Sequence, residues 1–331
     1  MPKVSVITAA YNHVQFIRQS VDSVQAQTFR DFEHIVIDDG SSDGTADILQ
    51  SFGERITYVR QENRGAHAAI NRGIRMSSGE YIGIVDSDDA WLPGKLERQV
   101  AVLDANPEAG MVYSLAYFID SEGNRHDESW LMGTPFEDPK QIFEELLQRN
   151  RIPVVTALLR RKCLDEVGFF SEEFKALSDW DLWLRFCLRY QVLFIPEMLA
   201  LYRVHQTNSW HELSGNGRVA KERLMLLRNA RQNIQGSNLD NSGRHKKIRL
   251  AYGDCVLYAT YDDLRRHRYG RALNYLLFAC KLRPTFLADV LLAARNHPTL
   301  LKERKVLRVG PKAVLGDRGI ETLQNLRRLV N

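Results

Sequence analysis

Cysteine is scarce in this chain of 331 residues, and its four copies, Cys163, Cys187, Cys255 and Cys280, stand far apart. No CxxC pair is present, which excludes a zinc ribbon or a dithiol redox motif, and the spacing gives no dense disulfide framework. A reducing cytoplasm is the expected compartment. Long apolar runs are missing as well. The best candidate, around Phe286–Ala294, contains Asp289 and stops at nine residues, far short of a bilayer span. The first residues are broken by Asn12-His13 too early for a secretory signal. No G-x-G-x-x-G follows the first expected strand. Thr8-Ala-Ala-Tyr-Asn-His13 occupies that place, which argues against a dinucleotide-dependent oxidoreductase. A Gly-rich, basic phosphate-gripping loop near the start, as nucleotidyltransferases carry, is also absent, and so are internal repeats and any nucleic-acid reader motif.

What is present is an ordinary globular composition, 44% hydrophobic and 26% charged, in a chain long enough for an α/β core and an appendage. Its net charge of +4 is unevenly spread. Residues 1–210 hold 21 Lys and Arg against 31 Asp and Glu, whereas 211–331 hold 24 against 10. The first region suits cations; the second suits an anionic lipid, polymer or protein surface. Polar, Gly-containing sequence around Ser209–Gly217 marks the expected boundary between a catalytic-type domain, 1–210, and a basic, mainly helical region, 211–331.

Within the first region strands and helices alternate. Strands are expected at Val4–Ala9, Glu33–Asp38, Ile56–Arg60 and Tyr81–Val85. Helices are expected from Val14 to Val24, Thr45–Ser51, Ala66–Met76 and Lys95–Ala105. Such alternation implies a parallel, doubly wound sheet. Further strands are expected at Met111–Ile119, Val154–Leu159, Val192–Ile195 and Leu199–Val204, with helices at Pro139–Arg149 and Ser178–Tyr190, then Val219–Asn233 and Lys246 to about Leu282. In an open parallel sheet ligands collect beyond the carboxyl ends of the strands. Here those ends carry Thr8–Asn12, Asp38–Ser41, Glu62–Gly65 and Asp86–Asp89, so one pocket is implied.

The chemistry concentrates in Tyr81-Ile-Gly-Ile-Val-Asp86-Ser87-Asp88-Asp89, an apolar run that ends in three carboxylates. Like charges so close cannot be buried unpaired, so the cluster belongs at the exposed end of its strand with a counter-charge. Oxygen ligands of this kind suit Mg²⁺ or Mn²⁺, which bind through one or two carboxylates and complete their shell with substrate phosphates.

VSVITAAYN, FIRQSVDSVQAQTF, VIDDGSSDGT, ENRGAHAAINRGI, SGEYIGIVDSDDAW and LSDWDLWLR, in that order, resemble the family 2 glycosyltransferases over about residues 3–205. The resemblance implies an α/β, GT-A type nucleotide-diphospho-sugar transferase fold with a mainly parallel, Rossmann-like sheet, here followed by an α-helical C-terminal extension. It also implies inverting transfer from a nucleotide-sugar, a UDP-sugar by preference, to a saccharide or lipid-linked acceptor in surface polysaccharide or glycolipid assembly. A divalent metal, Mn²⁺ or Mg²⁺, is implied as cofactor. By position, Ala9 and Tyr11 line the nucleotide, Asp39 binds the uracil ring, Asp86 with Ser87 lies near the ribose or metal, and Asp88 ligates the metal. His205 stands where relatives present a histidine to the metal or diphosphate, and Arg203 is within reach of a phosphate. Asp179 is the expected general base, since inversion needs a carboxylate on the face opposite the leaving group. The Q-x-x-R-W signature and membrane helices of processive relatives are absent, which favours one sugar per encounter.

Blander readings stand beside these. Tyr11 can cap the core edge and Asp38-Asp39 can open a turn before Gly40. Ser178 can be an N-cap, with Asp179 and Asp181 stabilised by the helix dipole. Trp180 is either a sugar-stacking platform at the acceptor or core packing; His67 and Arg64 either touch the nucleotide or are solvated. His13 and His34 are assigned no role. The whole is either an enzyme or a catalytically silent nucleotide-sugar binding module. Tyr269–Leu282, flanked by Arg268 and Arg283, is either a basic amphipathic helix at the inner face of the plasma membrane or a packed appendage.

Overall fold

The computed structural model describes residues 1–125, 139–205, 218–235, 242–265, 268–282 and 285. The chain divides into two compact units, Met1–Gly215 with Asn233–Leu239, and Asn216–Gln232 with Asp240–Asn331. The expected domain boundary at 210/211, Arg283 and the apolar stretch at 286–294 lie outside the described residues.

The first unit is built on strands β1 (Val4–Ala10), β2 (Phe32–Asp38), β3 (Thr57–Arg60), β4 (Tyr81–Ile84), β5 (Ala90–Trp91), β6 (Ala109–Ile119), β7 (Ala157–Arg160) and β8 (Gln191–Arg203). Its helices are α1 (Ile17–Gln25), α2 (Thr45–Gln50), α3 (Ala66–Met76), α4 (Lys95–Ala105), α5 (Pro139–Leu146), α6 (Arg161–Val167) and α7 (Ser178–Cys187). The strands form one sheet in the order β3-β2-β1-β4-β7-β6-β8-β5. Helical spacing explains the covering layers. In α1, Ile17, Val21 and Val24 fall three and four apart and are fully buried, and Leu96, Val100 and Leu103 do the same in α4.

The first four strands are parallel, as their alternation with helices requires. Beyond them the sheet becomes mixed, while as a whole it stays mainly parallel as expected. β7 enters between β4 and β6 running against both, β5 runs against β8, and only β6 and β8 are parallel. Val154–Leu159 is not one strand. Pro153 opens a single 3₁₀ turn, Val154–Thr156, closed by Thr156 Oγ1 donating to Pro153 O at 2.7 Å, and β7 starts after it. The two short strands at 192–204 are one strand, β8, which absorbs Pro196 by shifting register against β6. Its partner β5 has only two residues, too few to leave a periodic signal.

Strand order positions the site. β1 is followed outward by β2 and β3 on one side and by β4 on the other, so the order in which the chain adds strands reverses between the parallel β1 and β4. The crevice at such a reversal is where α/β sheets bind ligands. The residues after β1, Tyr11-Asn12-His13, and those after β4, Asp86 to Asp89, flank it.

Among its described residues the second unit is helical. The expected helix over 246–282 is two, Ser242–Arg265 and Tyr269–Leu282. Tyr275 joins them and the helix Arg218–Gln235: its Oη lies 3.1 Å from Cys255 Sγ and donates to Ala220 O at 3.2 Å. Tyr252 Oη donates to Ala279 O at 2.9 Å. Ala272, Tyr275 and Ala279 form the buried stripe of Tyr269–Leu282, and Arg271 is paired with Asp263, while Leu277 is 45% exposed. No described helix is long and apolar enough to cross a membrane.

Candidate active site

Residues from the loops after β1, β2, β3 and β4, from the end of β8 and from the start of α7 make up the candidate site. β1 contributes Ala9, its one incompletely buried position, and then Tyr11, which is 47% exposed. Asn12 turns the chain in the left-handed region (φ 52°). Its Oδ1 accepts from Ser42 N at 2.8 Å and its N–H donates to Ser41 Oγ at 3.0 Å, so the loops after β1 and β2 are tied together. Asp38, with its side chain fully buried, accepts from Ser41 N at 2.9 Å and Tyr58 Oη at 3.2 Å and therefore builds the turn.

Asp39 holds the loop after β3. Its Oδ1 accepts from Gln61 Nε2 (2.7 Å) and Arg64 N (2.9 Å), and its Oδ2 from Gly65 N (2.7 Å). Gly65 has φ 95°, which only glycine adopts freely, and that geometry turns two successive N–H groups toward one carboxylate. An ionised carboxyl offers about four acceptor positions, so one remains on Oδ2. Arg64 meets this site through its backbone. The His67 ring is directed elsewhere, with Nδ1 3.0 Å from Phe174 O.

The acidic loop after β4 is braced from α1 and β8. Ser20 Oγ donates to Asp86 O at 3.0 Å. β5 pairs Ala90 with Leu201 and Trp91 with Ala200; continued past Ala90, the antiparallel register sets Arg203 beside Asp88 and brings His205 to it. His205 Nε2 lies 3.0 Å from Asp88 Oδ2. Ser87 is buried and its Oγ lies 2.7 Å from His13 Nδ1. Phe16 packs among these groups, its ring centroid 4.9 Å from that of His205 and 5.9 Å from that of His13.

Arg203 does not present itself to a phosphate, and the expectation that it would is corrected. It is 1% exposed, and its guanidinium donates to Asp88 O (2.7 Å), Asp120 O (2.6 Å) and Gln19 Oε1 (2.6 Å), while its backbone N–H donates to Asp89 Oδ1 (2.8 Å). The planar fork is used as a clamp on three chain segments. For Trp180 the core-packing alternative holds. At 5% exposure, with Nε1 donating to Leu146 O at 2.5 Å, it offers no face on which a sugar could stack. Ser178 caps nothing; its hydroxyl donates to Ser171 O at 2.8 Å and Leu177 stands at the N-cap.

Asp179 opens α7. Its Oδ1 accepts from Trp180 N at 2.7 Å and its Oδ2 from Asn150 Nδ2 at 2.8 Å. Burial pushes its carboxyl up to about 6, the two hydrogen bonds opposing that rise. Burial also pushes Asp86 up to about 7, and the negative charges of Asp88 and Asp179 add to the shift. Asp179 therefore shares the field of the acidic loop. The Tyr202 hydroxyl feels Asp86, Asp88, Asp89 and Asp179 together, which holds its proton more tightly after burial has raised it.

Asp89 is raised by burial and by Asp88 and Asp86. Asp88 differs: burial pushes it up, but the His205 hydrogen bond and the neighbouring histidine charge outweigh this and hold it below the usual carboxylate range. Ligand atoms of Asp86, Asp88 and Asp89 lie within 4.8 Å of one another, as do those of His13, Asp88 and His205. The first set is all carboxylate, with Asp89 Oδ1 engaged by Arg203 N, and the second joins the Asp88 carboxylate to imidazole nitrogens; ligand sets of both kinds occur for divalent ions.

His13 and Asn150 are the two members of this site that sequence patterns did not mark. His13 follows the first strand on the ligand edge, which was its only signal. Asn150 lies between Arg149 and Arg151 with no periodicity to distinguish it.

The profile described as glycosyl transferase family 2 matches residues 5–168. An uncharacterised glycosyltransferase of Methanocaldococcus jannaschii is 30% identical over 67% of this chain and 76% of its own length. The chain belongs to glycosyltransferase family 2. Another such relative, from Rickettsia typhi, is 32% identical over 63% of this chain, and the match spans 66% of that relative's length. Among solved structures, S. aureus TarS 1-349 in complex with UDP-GlcNAc superposes with a TM-score of 0.69 at 19% identity, covering 92% of this chain and 91% of TarS 1-349. The mannosyltransferase PcManGT of Pyrobaculum calidifontis, in complex with GDP-Man and Mn²⁺, gives 0.53 at 20% identity, covering 88% and 86%. At those identities the likeness is one of fold, the GT-A fold.

Proposed function

We propose that this family 2 member transfers a sugar from a nucleoside diphosphate sugar to an acceptor hydroxyl with inversion at the anomeric carbon, Asp179 serving as general base. The observation that carries the reading is the buried Asp179 carboxylate at the start of α7, held by Trp180 N at 2.7 Å and Asn150 Nδ2 at 2.8 Å, with its charge felt by Asp86 in the acidic loop; burial pushes it up to about 6. A base poised there is ionised at neutral pH and still accepts a proton. Asp179 takes the acceptor hydroxyl's proton as its oxygen bonds to the anomeric carbon. The bond from that carbon to the diphosphate oxygen breaks, and the electron pair leaves with the nucleoside diphosphate.

The donor would lie along the crevice between β1 and β4. Tyr11, exposed at its mouth, gives a flat face for the base, and the remaining acceptor position on Asp39 Oδ2 suits an imide N–H such as that of uracil. A uridine nucleotide is therefore the favoured donor, in keeping with the UDP-GlcNAc bound by TarS. Asp88 and His205 would hold a divalent ion, as Mn²⁺ accompanies GDP-Man in PcManGT. When bound, such an ion supplies Lewis-acid stabilisation of the departing diphosphate. Asp86 and Ser87 border this position, and Arg203 keeps its loop in place. The acceptor class favoured is a saccharide or a lipid-linked saccharide.

The test pairs binding with turnover. A panel of nucleotide-sugars is screened for thermal stabilisation with and without Mn²⁺, since a ligand that binds only the folded state raises its stability. Nucleoside diphosphate release is then followed with the stabilising donor and candidate acceptors. Asp179→Asn should retain donor binding and lose transfer; wild-type turnover in that variant would sink the assignment.

A further inference from the structure

We infer that His13 is a second imidazole ligand in the proposed ion site, and that it makes the site select Mn²⁺ and similar borderline ions over Mg²⁺. The inference rests on the proposed function and goes beyond it by adding a residue and a selectivity. Three observations carry it. A ligand atom of His13 lies within 4.8 Å of those of Asp88 and His205. Two donors in neighbouring positions on an octahedral ion are about 3 Å apart, and the Asp88–His205 pair already stands at 3.0 Å. His13 follows β1, Asp88 follows β4 and His205 follows β8, so the donors come from separate elements rather than from one loop.

The second observation concerns orientation. Imidazole ligands are held by a partner on the other ring nitrogen, which fixes ring and tautomer. Ser87 Oγ, 2.7 Å from His13 Nδ1, is such a partner. In the tautomer that donates Nδ1–H to Ser87, Nε2 carries the ring's lone pair. The third observation is support from below: Phe16 packs on both histidine rings, whose centroids are 6.0 Å apart and nearly perpendicular. The pair is thus held by packing as well as by hydrogen bonds.

Selectivity follows from ligand chemistry. Mg²⁺ prefers oxygen donors and retains water, whereas Mn²⁺ and the later divalent ions accept imidazole readily. One carboxylate with two imidazoles is a set that Mg²⁺ uses poorly.

The full chain is titrated with Mn²⁺ alone, bound ion being read from the loss of the free-ion EPR signal, and with Mg²⁺ as competitor. His13→Ala should weaken Mn²⁺ binding about tenfold or more and leave Mg²⁺ binding within about twofold. Pulsed EPR of the Mn²⁺-loaded wild type should show two imidazole nitrogens, a reading that needs no variant to fold. Equal Mn²⁺ affinity in wild type and His13→Ala, an equal loss for both ions, or a single coordinated imidazole overturns the inference. If His205→Ala weakens Mn²⁺ binding and His13→Ala does not, this inference alone falls. If the wild type takes up no Mn²⁺, with or without UDP, the metal part of the proposed function falls and takes this with it.

Discussion

Asn150 Nδ2 donates to Asp179 Oδ2 at 2.8 Å, across 29 residues of sequence. That bond stabilises the ionised carboxylate, while burial favours the protonated form, and burial wins to leave Asp179 near 6. A general base must be deprotonated, so the transfer rate should rise with pH through about 6 and level off above it. The sign for stability is the reverse. The folded state binds the Asp179 proton more tightly than the unfolded chain, whose value is about 3.9. This group's contribution to stability is therefore greatest below about pH 4 and is lost as pH rises to about 6. Asp179→Asn should abolish transfer and also flatten that part of the stability-versus-pH curve, as read by urea unfolding at several pH values.

Removing the steering residue moves the same limb. In Asn150→Ala the carboxylate loses a stabilising donor and Asp179 should titrate higher, so the acid limb of the rate profile shifts upward in pH. Turnover at pH 6 should then fall more than turnover at pH 8. Asn150 Oδ1 also accepts from Ile152 N at 3.1 Å, so some loss of thermal stability is expected as well. A uniform loss of rate at all pH values would mean that Asn150 merely supports the fold.

Legibility in the sequence followed from how local each signal was. The first four strands, the exact bounds of α3 and α4, and the acidic loop were readable because apolar periodicity and abrupt charge are written in adjacent residues. The proposed pairing of Asp88 with Asp179 rests on the family resemblance, since several elements separate the two in sequence. Arg203 was misassigned, and Trp180 left between two readings, for one reason. A polar or aromatic group near a site motif looks like a ligand contact until its partners are known, and those partners, Asp120 O, Gln19 and Leu146 O, are set by tertiary structure. β5 was hidden by its length, and the reversal of β7 by the fact that direction leaves no mark on hydrophobic pattern.

Arg203 should prove structural in a particular way. Arg203→Lys keeps the charge, but a single ammonium cannot reach Asp88 O, Asp120 O and Gln19 Oε1 at once, so most of the clamp is lost. A hydrogen bond from a charged donor contributes about 1.5–3 kcal/mol, and the variant should be destabilised by roughly that much in denaturant unfolding. Because the same clamp sets the Asp88–His205 approach, Mn²⁺ affinity should fall along with stability. A Lys variant with wild-type stability and weaker diphosphate binding alone would restore Arg203 as a phosphate contact.

Asp39 gives the sharpest test of the nucleotide end. Its two oxygens accept from Gln61 Nε2, Arg64 N and Gly65 N, and every one of these partners is a donor. Asp39→Asn replaces one acceptor oxygen with an NH₂ group that must face an N–H. If the amide nitrogen takes the Oδ2 position, Gly65 N loses its partner and the proposed uracil contact is lost; in the flipped orientation both Gln61 and Arg64 N lose theirs. Either way the loop after β3 loosens, at a cost of about 1–3 kcal/mol. The expected result is a lower unfolding midpoint and weaker UDP binding by calorimetry, with Mn²⁺ binding in the absence of nucleotide unchanged, since Asp39 lies apart from the Asp88–His205 pair. Weakened Mn²⁺ binding in Asp39→Asn would instead tie the two ends of the crevice into one cooperative unit.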